Sequence, residues 1–281
     1  MAITQMLPSV WSARILGKLE KALVYAQPGV VRRDFEGEIR ADGDRVHFHS
    51  FADLTIGTYV KDSTTLSYEN LTDSRVTLLI DQAKYFAFRV DDINAAQMRP
   101  KIIDAASDRA SYQLAQVADA YVASLYTGAS SSNPDNIIEV TQATAANVYS
   151  KFVGLAQRMD ENNLPAEGRY AIIPPWILAL LRQDNTFVTQ ASPSTVLNGS
   201  VGMIAGISLL VSNNVPVTGT PTDDYHCAAG VANAIGYAEQ IVNLEGLRLE
   251  GSFADGVRGL HLYGAKVLQP ELLYDLQLSV A

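Results

Sequence analysis

The chain has 281 residues, enough for one large domain or for two lobes with separate cores. Charged residues make up 18% of it, against a globular norm of about 25%, so part of the surface is expected to be covered by other copies of the chain. A net charge of -9 argues against wrapping nucleic acid by phosphate neutralisation. The single cysteine, Cys227, excludes an intrachain disulfide, and no apolar run approaches the roughly 20 residues of a membrane span. The opening MAITQMLPSVWSA has no charged-then-apolar signal pattern, so a cytoplasmic setting is expected.

Residues 11–25 carry Ile15, Leu19 and Leu23 at spacing four, which predicts a short amphipathic helix ended by Pro28 and Gly29. Residues 34–90 are strand-rich. GEIRADGDRVHFH predicts a hairpin, with Ile39 before the turn Ala41-Asp42-Gly43 and Val46 and Phe48 after it. From Asp53 to Tyr68 the chain is polar, and RVTLLI at 75–80 restores a strand pattern. Two strand arms therefore flank a polar excursion that cannot bury its own tip. A fifteen-residue arm reaches roughly 50 Å at about 3.3 Å per residue.

In DQAKYFAFRVDDINAAQ, residues 81–97, Tyr85, Ala87 and Arg89 alternate with Phe86, Phe88 and Val90, a strand stopped at Asp91 and Asp92. Pro100 then opens a predicted helix over 100–127. Its stripe is Ile103, Ala106, Ala110, Leu114, Val117, Tyr121 and Leu125, and Gly128 ends it. A second lobe follows. Val148, Phe152, Leu155 and Met159 mark a helix ending at Glu161-Asn162-Asn163. RYAIIP reads as a buried strand, PPWILALLRQD as a helix and GISLLVSNNVPV as a strand with a polar turn. CAAGVANAIGYAEQ is small and apolar, and RGLHLYGAKVLQPELLYDLQLSV gives two further strands.

Candidate chemistry is sparse. Adjacent carboxylates on a strand point to opposite faces, so Asp91 and Asp92 are expected to end a strand and cap a helix near Ile93 rather than hold a metal. His47 and His49 share a strand face, but no cysteine or carboxylate stands at metal-ligand spacing around them. Asp223-Asp224-Tyr225-His226-Cys227 lines up triad-type residues in a row, yet catalytic groups converge in space rather than along five consecutive positions. Asp223-Asp224 is read as a turn and Cys227 as a small buried residue. Arg32 and Arg33 alone are a weak phosphate signal. Neither a G-x-S-x-G nor a phosphate-binding glycine motif is present. No catalytic residue, cofactor or metal site is expected.

The stretches without chemistry carry a resemblance. IDQAKYFAFRVDDINAAQ (80–97) resembles the strand-into-helix junction of tailed-phage major capsid proteins of the Hong Kong 97 type. NNLPAEGRYAIIPPWILALLRQD (162–184) resembles their axial-domain helix-strand-helix, and GMIAGISLLVSNNVP (202–216) the strand and turn that follow. SFADGVRGLHLYGAKVLQPELL (252–273) is similar to their peripheral-domain strands. The four occur in family order.

The resemblance implies an α+β fold with an N-terminal arm at 1–33, an extended loop or β-hairpin at 34–80, and a peripheral domain at 81–137 with a spine helix at 100–127. An axial domain would span 138–248, and strands at 249–281 would return to the peripheral domain. It implies intersubunit contacts at the loop tip, through Thr55, Ile56, Gly57, Thr58, Tyr59, Val60, Lys61, Asp62, Ser63, Thr64, Thr65, Leu66 and Ser67. The arm would make others through Trp11, Arg14, Lys18, Arg32 and Arg33. Some relatives form a covalent cross-link near the position of Lys61, which by residue type is expected to be an ordinary surface lysine.

The function implied is a shell protein that self-assembles into pentamers and hexamers of an icosahedral head enclosing double-stranded DNA without sequence-specific contact. Without a long helical segment ahead of the arm, a separate scaffolding protein is implied. A portal at one vertex, a decoration protein, no membrane partner, assembly in the host cytoplasm and residence in the virion complete the expectation. The alternatives are a nanocompartment shell enclosing protein cargo and, remotely, a metal-dependent hydrolase built on Asp91, Asp92 and His47.

Overall fold

The computed structural model describes residues 23–33, 45–51, 56, 58, 61, 68, 73–91, 101–131, 135–183, 202–219, 223–248 and 254–280. The described strands form three sheets. The smallest is a ribbon of β1 (Arg45–Phe51) and β2 (Asp73–Leu79), antiparallel from Arg45 opposite Leu79 to Phe51 opposite Asp73. These are the two arms flanking the polar excursion. The first strand of the hairpin expected around Ala41-Asp42-Gly43 lies outside the described residues. Its second strand is in register with β2, Val46 with Leu78 and Phe48 with Val76. That register puts four apolar side chains on one face, which local turn chemistry does not disclose.

The second sheet has the order β10-β11-β3 and is antiparallel throughout, with β3 at Gln82–Asp91, β10 at Ile235–Arg248 and β11 at Ala254–Val267. Side chains alternate across it. Ala238 and Leu262 face the β1–β2 ribbon and form a small core with Val46, Leu78 and Ile80. Tyr237 and Tyr263 face the other way, into the main core with α1 (Lys101–Ala123) and with Leu23, Tyr25, Val30 and Val31. Ribbon, sheet and helix are therefore three layers. Within the predicted helix of residues 11–25, the described residues 23–25 form a bend and turn rather than helix.

The buried face of α1 is Ser111, Leu114, Ala115, Ala118, Asp119, Val122 and Ala123. It is turned from the expected stripe: Leu114 stays inside, but Val117 is 42% exposed. Small residues face the sheet because they let the helix approach closely, and Asp119 must face inward to reach its partners. The α-helix ends at Ala123 and tightens into a 3-10 turn over Ser124–Gly128. A Cβ on Gly128 would lie 2.6 Å from Val267 Cγ2, so the turn can rest on the end of β11 only with glycine there.

The large sheet has the order β4-β12-β9-β5-β7-β6, with β8 paired to β9. Its strands are β4 (Ile137–Ala143), β5 (Arg169–Ile173), β6 (Met203–Ile204), β7 (Ile207–Val211), β8 (Val217–Thr218), β9 (Asp224–Val231) and β12 (Leu273–Val280). α2 (Val148–Glu161) buries Val148, Phe152, Leu155 and Met159, the residues its spacing predicts, and Asn163 adopts a left-handed φ of 56° just beyond it. α3 (Pro175–Gln183) opens on proline.

Strand pairing cuts across two of the expected boundaries. β10, placed by the sequence in the axial segment 138–248, pairs with β11 from Ile235–Val267 to Arg248–Asp255, and so long a ladder cannot be split between domains. β12, placed among the returning strands at 249–281, lies between β4 and β9. Apart from Gln277 and Val280 it is buried along its length, as a central strand must be.

Candidate functional site

The ribbon is anchored at its base and projects beyond the sheet. Val46, Leu78 and Ile80 pack on Ala238 and Leu262, with Phe48 and Leu260 half-buried at the margin. β2 crosses β11 so closely that a Cβ on Gly264 would collide with the Leu79 carbonyl oxygen, and Lys266 Nζ donates to Thr77 O at 2.9 Å. Arg45 and Arg75 lie on the outward face and are exposed, as is His47, whose Nδ1 lies 3.2 Å from Thr77 Oγ1. Of the predicted tip, Ile56, Thr58 and Lys61 are described, and all are exposed, Ile56 by 96%. Tyr68 beside them is 92% exposed. Thr55, Gly57, Tyr59, Val60 and Asp62 through Ser67 lie outside the described residues. Nothing in the subunit covers the described tip residues, whereas the base has a core of its own.

A second set of contacts fastens residues 23–33 to the body. Asp119 Oδ1, buried on α1, accepts from the backbone N–H groups of Val24, Tyr25 and Ala26 at 3.1, 2.9 and 3.2 Å. Burial raises the Asp119 pKa by more than these bonds and that from Asn214 lower it. The Arg32 main chain exchanges hydrogen bonds with Ile235 O and Tyr237 N, and its side chain is exposed. Arg33, expected at an intersubunit contact, turns into its own subunit, where its guanidinium pairs with Glu239 and stands 5.4 Å from the centre of the Tyr237 ring. Trp11, Arg14 and Lys18 lie outside the described residues.

Glu239 also accepts from Tyr237 Oη at 2.5 Å and from His261 Nε2 at 3.2 Å. A carboxylate can only accept, so Nε2 is the donor in this bond. Burial pushes Glu239 upward, but the bonds from His261 and Tyr237 and the charges of Arg33 and His261 outweigh it, leaving the carboxyl below its ordinary range. Sequence reading missed Asp119 and Glu239. The available signal was a carboxylate on the small-residue face of an apolar helix, Ala118-Asp119, and another inside an apolar strand.

The Asp119 bonds carry a direct expectation. Asp119→Ala orphans three amides, two of them in buried residues, and should cost about 2–4 kcal/mol, since each unsatisfied buried group costs about 1–3 kcal/mol. Asp119→Asn keeps an acceptor oxygen and should cost about 1 kcal/mol. Urea unfolding of the unassembled protein checks this; equal losses for the two variants would remove the amide contacts as the cause.

The row Asp223–Cys227 separates in space. Asp223 is exposed, while Cys227 is buried and its thiol is pushed well above its usual range by that burial. His226 is buried between other strands' residues. Its Nδ1 bonds Asp275 Oδ2 at 2.8 Å, its Nε2 lies 2.7 Å from Thr218 Oγ1, and its ring stacks on Tyr126 at 4.0 Å. The Thr–His–Asp order is that of a nucleophile relay. Here it links three groups on β8, β9 and β12, pinning a two-residue strand to the large sheet.

Asp91 ends β3 opposite Ala254, and Asp92 lies outside the described residues. His47 sits opposite Thr77, which is bonded to Lys266. Residues 254 and 266 of β11 are roughly 40 Å apart at about 3.3 Å per residue. Asp91 and His47 therefore cannot share a metal. Among the described residues no group of three or more His, Cys, Asp or Glu is placed to hold one.

A family model described as phage capsid protein matches residues 75–276. No curated protein sequence matches the chain. Among solved structures, one from Mycobacterium phage Che8 is 25% identical, with a TM-score of 0.72 over 91% of this chain and 90% of that one. The capsid of cyanophage P-SCSP1u is 20% identical, with a TM-score of 0.70 over 89% and 86%. The capsid of a native GTA particle is 13% identical, with a TM-score of 0.64 over 90% and 92%.

Proposed function

The chain belongs to the phage capsid protein family and has the Hong Kong 97-type fold, and from that premise we propose that it builds the pentamers and hexamers of an icosahedral head enclosing double-stranded DNA. Members of this family are structural proteins of the virion and not an enzyme class, and we extend that to an absence of catalysis by this chain. The observation that carries the reading is the projecting ribbon, with a core at its base and exposed apolar side chains at its tip. The tip and the arm residues Trp11, Arg14, Lys18 and Arg32 link neighbouring subunits. Arg33 instead anchors the arm's root within the subunit. A subunit held by several modest contacts gains avidity.

Assembly takes place in the host cytoplasm with a separate scaffolding protein, around a portal at one vertex. An acidic chain suits a shell through which DNA must slide. The likenesses are to phage and phage-like capsids and do not favour a nanocompartment enclosing protein cargo. Particles purified from infected cells should contain this chain and nuclease-protected DNA. Particles filled with a single enzyme and free of DNA would overturn the reading.

Asp91→Asn and Asp92→Asn should assemble as wild type, in buffer or in EDTA, with stability lowered by about 0.5–2 kcal/mol at most if a helix cap is lost. Shells that dissolve in EDTA, together with assembly failure of both variants, would restore a metal at this junction.

A further inference from the structure

We infer that Thr218 is a covalent modification site, whose hydroxyl takes up one acyl group from an uncharged activated ester or thioester with His226 as its base. The reaction is stoichiometric and independent of shell building. His226 belongs to the row Asp223–Cys227, yet its partners come from elsewhere, Thr218 from β8 and Asp275 from β12. Three strands thus converge on one imidazole, as a run of consecutive residues cannot.

Asp275 and His226 are buried, at 2% and 6% exposed, while Thr218 is exposed. The relay therefore starts in solvent, where a reagent can reach it, and ends inside the sheet. In the neutral ring the carboxylate makes Nδ1 the donor, at 2.8 Å, and leaves Nε2 to accept from Thr218 Oγ1 at 2.7 Å. Both distances lie within the reach that proton transfer needs. The ring is held in place by stacking on Tyr126 at 4.0 Å, and Asp275 Oδ2 by a second bond from Gln277 Nε2 at 3.0 Å. Asp275 is thus a positioning residue, and His226 the group that moves the proton.

In the step, Thr218 Oγ1 attacks the carbonyl carbon of the donor while His226 Nε2 takes its proton. An O–C bond forms and the bond to the leaving alcohol or thiol breaks. The proton passes from Nε2 to that leaving group, and nothing is oxidised or reduced. The product is an ester at Thr218. It removes the hydroxyl proton that Nε2 accepted, and so loosens β8 from β9. Asp224 stands opposite Thr218 in the β8–β9 ladder, so with Asp275 two carboxylates border the site. They repel an anionic acyl group, which selects an uncharged one.

The probe is p-nitrophenyl acetate on the full, unassembled chain, read by peptide mass spectrometry over time. The internal reference is Thr144, which is also exposed and whose hydroxyl has no histidine partner among the described residues. Thr218 should be acetylated at least about a hundredfold faster than Thr144, the lower end of what a positioned base contributes, and to one equivalent per chain. Hydroxylamine should remove this ester and leave acetylated lysines untouched. His226→Gln and Asp275→Asn should each bring Thr218 down to the Thr144 rate, with lysine acetylation in the same sample unchanged. Asp275→Asn keeps the size of the side chain but no longer fixes which ring nitrogen is free to accept. Thr218→Ser should still be labelled at this position, and Thr218→Val should not. Equal rates for Thr218 and Thr144 in the wild-type chain, a comparison that needs no variant to fold, would overturn the proposal. So would fast labelling of Thr218 that survives the loss of His226, or an ester that hydrolyses and reforms in repeated cycles.

Discussion

Replacing residues 55–67 with a short Gly-Ser turn should leave a folded protein that no longer builds stable shells. The ribbon base has its own core in Val46, Leu78, Ile80, Ala238 and Leu262, and none of these is removed. Ile56, Thr58 and Lys61 are exposed, so the subunit loses no buried surface with them. Shortening the loop changes closure entropy by well under about 1 kcal/mol, so the thermal transition should stay near that of unassembled wild type. Circular dichroism reports the fold and sedimentation velocity the assembly. Intact, stable shells from the shortened chain would show that the tip is no clamp, and unfolding would show that it belongs to the subunit core.

Leu114→Asp should collapse the yield of soluble protein. Leu114 is 7% exposed on the face of α1 that meets the main core. An aspartate there buries a charge with no partner, at a cost of several kcal/mol, a large part of the roughly 5–15 kcal/mol that typically holds a domain together. Gln113→Asp, one residue away and exposed, should change stability by less than about 1 kcal/mol. Wild-type yield and melting temperature for Leu114→Asp would overturn the assignment of this helix face.

Legibility in the sequence followed how local each determinant was. α2 and α3 were readable because apolar spacing and an opening proline lie within one segment. The extent of α1 was close, but its rotation was not. Val117 looks like core by residue type, while the face that packs uses Ser111, Ala115 and Ala118, chosen for approach distance rather than hydrophobicity. The two strands of the ribbon were visible but not their register, which depends on matching faces across more than 20 intervening residues. The polar anchors were least accessible. Asp119 meets residues 24–26 and Glu239 meets Arg33, partners far apart in the chain. The His226–Asp275 bond joins two strands whose adjacency only the large sheet reveals.

The placement of β12 sets a timetable. β4 has no ladder partner among the described strands except β12, and the pair is parallel, with Ile137 opposite Asp275. The ribosome must therefore make 275 − 137 = 138 more residues before β4 can be paired. Pairing at that separation closes late, because loop-closure entropy must be met before the contact rewards it. Until then both edges of β4 are open, available to the wrong strand of another nascent chain. Any product that stops short of β12 keeps both edges of β4 open. Slower synthesis lengthens that exposure, so chaperone supply bears on how much of this chain survives to meet its neighbours.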